Sequence, residues 1–239
     1  MFKKLYKLFV PEMIRNQIYM AHYDQIMQEL ESGGVVPENS TSDAILSEKH
    51  NVELSEAHIA NLKVLTNREK LLEYMPEGSV VAEIGVFKGD FSDAILSITK
   101  PRKLHLIDPW DQIDETFLEY ADFVQDRFKK EISNGQVVIN KGFSFSELKH
   151  FDDHYFDWVY IDSDHSYQST MQELELCKHK VKEGGIIAGH DYCSWSFHER
   201  MRYGVIEAVN EFCEKYDWEM IYLTNEVHRY LSFAIRQCN

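Results

Sequence analysis

The sequence predicts an α/β protein: a seven-stranded, mostly parallel sheet with helices on both faces, an antiparallel C-terminal hairpin and an N-terminal helical extension. Three observations predict it. From residue 79 onward, short β-rich runs alternate with longer amphipathic stretches, the pattern of repeated βα units around a parallel sheet. The last two runs are separated by too few residues for a parallel crossover, so they must pair antiparallel. Before it, residues 13–31 and 54–74 instead place their apolar side chains at helical spacing.

In order, residues 13–31 carry one helical pattern, closed by Gly33, Gly34 and Pro37, and a polar linker follows. Residues 54–74 read as one or two more helices, with Met75, Pro76, Glu77 and Gly78 as the break before the sheet. The expected strands are 79–86, 103–110, 136–142, 156–162, 184–192, 219–224 and 230–236. Helical patterns fill the gaps: FSDAILSIT, ETFLEYADFVQDRFKKEI, YQSTMQELELCKHKV and VIEAVNEFCEKY. The domain reading is therefore 1–75 as a helical cap or dimer interface and 76–239 as the catalytic domain.

Composition narrows the function. A length of 239 residues suits one catalytic domain with an appendage. Hydrophobic residues at 44% and a mean hydropathy of -0.40 describe an ordinary globular chain. The net charge of -15 would repel a phosphate backbone, which points to a small-molecule partner and not to nucleic acid. Cys177, Cys193, Cys213 and Cys238 lack CxxC spacing, so neither a zinc set nor a disulfide framework is indicated, and a reducing cytoplasm is the expected compartment. The basic N-terminus is interrupted by Lys7, Pro11, Glu12 and Arg15, which argues against a cleaved signal peptide, and no apolar run is long enough for a spanning helix.

The chemistry-bearing residues cluster at predicted strand ends. The first strand runs into Glu83-Ile84-Gly85-Val86-Phe87-Lys88-Gly89, an acid followed by two glycines four apart at a strand-to-helix turn. Glycine there lets the backbone approach a ligand, but GxGxxG is absent, which speaks against a nicotinamide enzyme. One βα unit later the strand ends in Asp108, where a carboxylate can accept the hydroxyls of a ribose.

The segments AEIGVFKGDFS, LHLIDPW and FDWVYIDSDHSYQSTMQELELCKHKVKEGGIIAGHDY, followed by VIEAVNEF, resemble the class I S-adenosylmethionine methyltransferases, which are Rossmann-like. More narrowly they resemble the subgroup of macrolide-sugar and other small-molecule O-methyltransferases. That resemblance implies cofactor contacts at Glu83, Gly85 and Gly89, the ribose at Asp108, and the adenine beside the turn Gly142-Phe143-Ser144. It also implies metal-binding acids at the next two strand ends, Asp162 and the pair His190 and Asp191, for Mg²⁺ or Mn²⁺. Imidazole is a poor Mg²⁺ ligand, so His190 departs from the family's acidic pair. A metal-free version needs only an in-line approach and a base, and Asp162, His165 or His190 can serve.

Tyr167, Tyr192, Trp195 and Phe197 are candidate linings of the acceptor pocket, CSWSFHERMRYG a candidate lid, and the N-terminal helices a second wall or a homo-oligomer interface. The leading expectation is O-methylation of a sugar or glycosylated natural product. The alternatives are an N-methyltransferase or hydroxylase-like enzyme of related fold, and a cofactor-binding subunit without turnover.

Overall fold

A computed structural model describes residues 52–110, 118–196, 201–226 and 230–238. Its contacts divide the chain into two units, residues 1–51 with 194–203, and residues 52–193 with 204–239. In the first, β7 (Trp195–Ser196) and β8 (Met201–Arg202) form a short antiparallel ribbon. The helix expected over 13–31 and residues 197–200 of the candidate lid, Phe197 among them, lie outside the described residues.

The second unit carries the sheet. Its strands are β1 (Lys63–Leu65), β2 (Val80–Ile84), β3 (Lys103–Asp108), β4 (Val137–Lys141), β5 (Phe156–Ile161), β6 (Val181–Gly189), β9 (Trp218–Thr224) and β10 (Phe233–Gln237). Their spatial order is β1-β9-β10-β6-β5-β2-β3-β4. β10 inserts antiparallel between β6 and β9, so the expected C-terminal hairpin is present. All other pairings are parallel.

Seven strands match the expected runs and one does not. Residues 54–74, read as helix, instead give a 3-10 turn Ala57–Ile59, strand β1 and a short helix α1 (Arg68–Leu72). Two bonds, one long-range and one local, explain the correction. Asn61 Nδ2 donates to Glu219 Oε2 at 2.7 Å, drawing the segment onto the free edge of β9. Asn67, in extended conformation, accepts from the Lys70 amide at 2.7 Å and so starts the helix only after the strand.

The helices are α2 (Asp90–Thr99), α3 (Leu118–Arg127), α4 (Lys129–Ser133), α5 (Ser144–Glu147), α6 (Tyr167–Lys180) and α7 (Val205–Tyr216). Alternation along each strand splits the core in two. Val80, Ala82 and Ile84 pack with Leu174 and Cys177 of α6 and Ala208, Val209 and Phe212 of α7. Val81 packs on the opposite face with Leu71 and Leu72 of α1, Phe91 and Ile95 of α2, and Val124 and Phe128.

Register then determines the site. Ile84 pairs with Ile107 and with Ile161, Ile161 with Gly189, and Asp108 with Lys141. The residues that follow, Gly85, Gly142, Asp162 and His190, therefore line one carboxyl edge together with Asp108. Strand order reverses between β2 and β5, the place where open α/β sheets open a ligand crevice.

Candidate functional site

At the end of β2 the chain turns at Gly85, with φ of +85°, and its amide donates to Ile107 O at 2.9 Å. A Cβ built there would overlap the Asp162 carbonyl oxygen, so glycine is what lets the ends of β2 and β5 pass each other. Gly89 precedes α2 with φ of +76°, and a Cβ built there would meet the Phe128 ring.

Asp108 holds this turn. Its Oδ2 accepts from Val86 N at 2.8 Å and Phe87 N at 3.0 Å, and its Oδ1 from Trp110 N at 2.7 Å. An ionised carboxylate offers about four acceptor positions, so three backbone donors leave about one. Glu83 lies beneath the turn, 2% exposed, accepting from Ser92 Oγ at 2.5 Å. Burial pushes its carboxyl up to about 8, against the hydrogen bond from Ser92. It supports the turn from inside the core.

A second cluster forms where β5 and β6 end. Asp191 has φ of +57°, a conformation that non-glycine residues rarely adopt and that is often kept at functional sites. Its carboxylate lies 3.0 Å (Oδ2) from His165 Nδ1 and 3.2 Å (Oδ1) from His190 Nδ1. Although burial opposes ionisation, the two imidazole hydrogen bonds hold Asp191 well below the usual carboxylate range. Burial lowers the His190 pKa, but the Asp191 bond and nearby Asp162 outweigh it and raise the value. With Nδ1–H facing Asp191, His190 turns Nε2 inward, buried and without a hydrogen-bond partner among the described residues.

Asp162 completes the cluster, 3.8 Å from His190 Nδ1 and 3.7 Å from Arg68 Nη1. Burial raises its pKa; His190, His165 and Arg68 pull it back, while Asp191 adds to the rise. Asp162, His165 and Asp191 bring one ligand atom each within 4.8 Å of one another, so His165, more than His190, stands where a third metal ligand would. His58, Asp217 and Cys238 make a second such group at the far sheet edge. A cleft beside the strand ends is lined by Ser163, His165, Thr170, His190, Val205 and Phe233, among others.

Two polar residues escaped the sequence reading. Arg68 sits in a segment read as helical preface, and only the β1 pairing brings it to Asp162, 4.5 Å over the Phe91 ring. Glu173 lies on α6, 3% exposed, and accepts from Ser144 Oγ and Ser163 Oγ, each at 2.6 Å. Burial pushes its carboxyl up to about 7, opposed by the two serines. The only signal for it was a carboxylate at an inward-facing position of an amphipathic helix.

The remaining candidates divide. Phe143 is exposed at the end of β4 and stacks on Phe145, centroids 5.3 Å apart. Tyr167 donates to Glu211 at 2.8 Å and Tyr192 to Asn210 at 2.7 Å, so both hydroxyls are committed to α7. Trp195 belongs to the first unit.

A sheet in this order, a glycine turn held by the neighbouring strand's acid, and acids beyond the switch point agree with one family. Residues 82–192 match the model of a methyltransferase domain. Over those residues the chain carries a methyltransferase domain, in the class I fold of S-adenosylmethionine-dependent methyltransferases. No curated protein sequence matches the chain. Solved methyltransferases share its fold at low identity. An S-adenosylmethionine-dependent methyltransferase from Aquifex aeolicus is 15% identical with a TM-score of 0.54, covering 73% of this chain and 91% of that one. An O-methyltransferase from Bacillus cereus in complex with S-adenosylhomocysteine is 14% identical with a TM-score of 0.51, covering 89% and 97%. A tRNA methyltransferase of B. subtilis is 14% identical with a TM-score of 0.53, covering 73% and 67%. In this methyltransferase no helix among the described residues is long and apolar enough to cross a membrane.

Proposed function

We propose that the protein transfers a methyl group from S-adenosylmethionine to a hydroxyl of a small molecule such as a sugar or a glycosylated natural product. In this reading the nucleoside lies along the carboxyl edge, one ribose hydroxyl donating to Asp108 and the methionine part crossing Gly85. The sulfonium methyl then faces Asp162, His165, His190 and Asp191.

The observation that carries the reading is Asp191 bonded to two imidazoles at the strand end beyond the switch point. A neutral hydroxyl is a weak nucleophile and must give up its proton as it attacks, whereas a neutral amine attacks with its lone pair unaided. An imidazole oriented by a carboxylate is suited to that proton. The acceptor oxygen forms a bond to the methyl carbon, the carbon–sulfur bond breaks with its electron pair going to sulfur, and the acceptor proton passes to a histidine. S-adenosylhomocysteine leaves.

The donor set also fits a divalent ion. Asp162 and Asp191 with His165 would hold it. A mixed carboxylate and imidazole set suits Mn²⁺ better than Mg²⁺. Such an ion would lower the pKa of a coordinated hydroxyl. The net charge of -15 favours a small acceptor over a polyanion.

The test is methyl transfer from labelled cofactor to sugars, glycosides, amines and tRNA, with and without chelator, read by product mass. O-methylated sugar products support the reading. Transfer to amines or tRNA alone contradicts it, and activity unchanged by chelation removes the ion.

A further inference from the structure

Within a cofactor site, a serine hydroxyl ordinarily reads nothing, because it donates to one ligand and accepts from another. At Ser144 and Ser163 that freedom is gone. Both Oγ atoms lie 2.6 Å from separate oxygens of Glu173, an acceptor-only group when ionised, so each hydroxyl proton is committed inward. What remains on each oxygen is lone pairs. Ser144 opens α5 directly after β4, and Ser163 follows Asp162 at the end of β5 and lines the cleft. Glu173 thus ties the turns after β4 and β5 together and converts both from ambivalent groups to acceptors.

We infer that Glu173 sets the purine specificity of the methyltransferase: the two hydroxyls it orients accept from the amino group of a 6-aminopurine and repel the carbonyl oxygen of a 6-oxopurine. The inference rests on the proposed course of the nucleoside along the carboxyl edge, with the base reaching the place where Glu173 ties the turn after β4 to the turn after β5. It gives a reason for a carboxylate at a position that is 3% exposed, where a neutral amide would be less costly to bury. Glu173 is a positioning residue, acting through the serines.

The substitution that separates this role from mere packing is Glu173→Gln. The amide oxygen still accepts from one serine, but the amide nitrogen donates to the other and so frees that hydroxyl to point outward. Titration calorimetry with S-adenosylhomocysteine and S-inosylhomocysteine reads the result, at a pH above the Glu173 value of about 7. The wild-type protein should hold the adenosyl ligand at least about 30-fold tighter, as expected when a site built for one hydrogen-bonding pattern meets its inverse. Glu173→Gln should narrow the ratio to within about threefold, chiefly by tightening the inosyl ligand. Ser144→Ala, an independent variant, should narrow it by weakening the adenosyl ligand alone. A wild-type ratio near one, or an unchanged ratio in either variant, overturns the inference while leaving the cofactor reading intact. A wild-type protein that binds neither ligand overturns both.

Discussion

The guanidinium of Arg68 stands 3.7 Å from the Asp162 carboxylate. Strand β1 delivers it there, with the Phe91 ring beneath, so a residue outside every recognised motif becomes the cation of the acidic cluster.

Arg68→Met should remove that cation and leave Asp162 facing Asp191. Since burial and Asp191 already raise the Asp162 pKa, losing Arg68 raises it further. A carboxyl whose folded pKa is raised stabilises least once pH exceeds that value, so the deficit against wild type should grow with pH. Urea denaturation should give a loss of about 1–3 kcal/mol at neutral pH and less in acid. A pH-independent deficit would deny the coupling.

Gly85→Ala should be far costlier than Gly135→Ala. Both glycines have positive φ, +85° and +78°, but only at Gly85 would the new methyl meet the Asp162 backbone. Strain alone predicts about 1 kcal/mol at Gly135, and strain plus overlap at least about 3 kcal/mol at Gly85. Equal losses by chemical denaturation would mean that the crossing of β2 and β5 is looser than described.

Glu83 should give stability a marked pH dependence. Its folded value of about 8 against 4.5 means that the native state holds one more proton across that window. Its contribution to stability is therefore largest below about 4.5, falls by up to about 1.4 kcal/mol per pH unit through the window, and is level above it. Glu83→Gln keeps an acceptor for Ser92 and should flatten that slope. Parallel curves for the two proteins would refute the assignment.

Much of this was legible in the sequence, for physical reasons. Alternating β-rich and amphipathic runs fixed seven strands, and glycine and acid at strand ends marked the edge where Gly85, Asp108, Asp162 and Asp191 meet. What escaped depends on contacts between distant residues. Lys63–Leu65 is too short for periodicity to reveal, and its strand conformation comes from the edge of β9 and the Asn61–Glu219 bond. Glu173 looked like any helical acid until Ser144 and Ser163 converged on it. Asp108 was read as a ribose acceptor only, because three backbone donors from its own and the neighbouring turn have no sequence signature.

Asp191→Asn should separate binding from turnover. The amide presents only one acceptor to two imidazoles, so at least one of His165 and His190 loses its orientation. Steady-state kinetics should show kcat down by about 10²–10³, the usual range for a lost general base, with S-adenosylhomocysteine affinity within about threefold. A variant with wild-type kcat would place the chemistry elsewhere.

The most direct test of the cofactor site is calorimetric titration of S-adenosylhomocysteine into the wild-type protein and into Asp108→Asn. The variant must turn an N–H₂ toward at least one backbone donor now held by the carboxylate, opening the turn that carries Gly85. One binding site in the wild type, weakened at least about 30-fold in the variant, is the predicted result, from one lost charged hydrogen bond and one like-group clash. No binding to the wild type, or equal affinity in both, would contradict a cofactor held between Asp108 and the Gly85 turn.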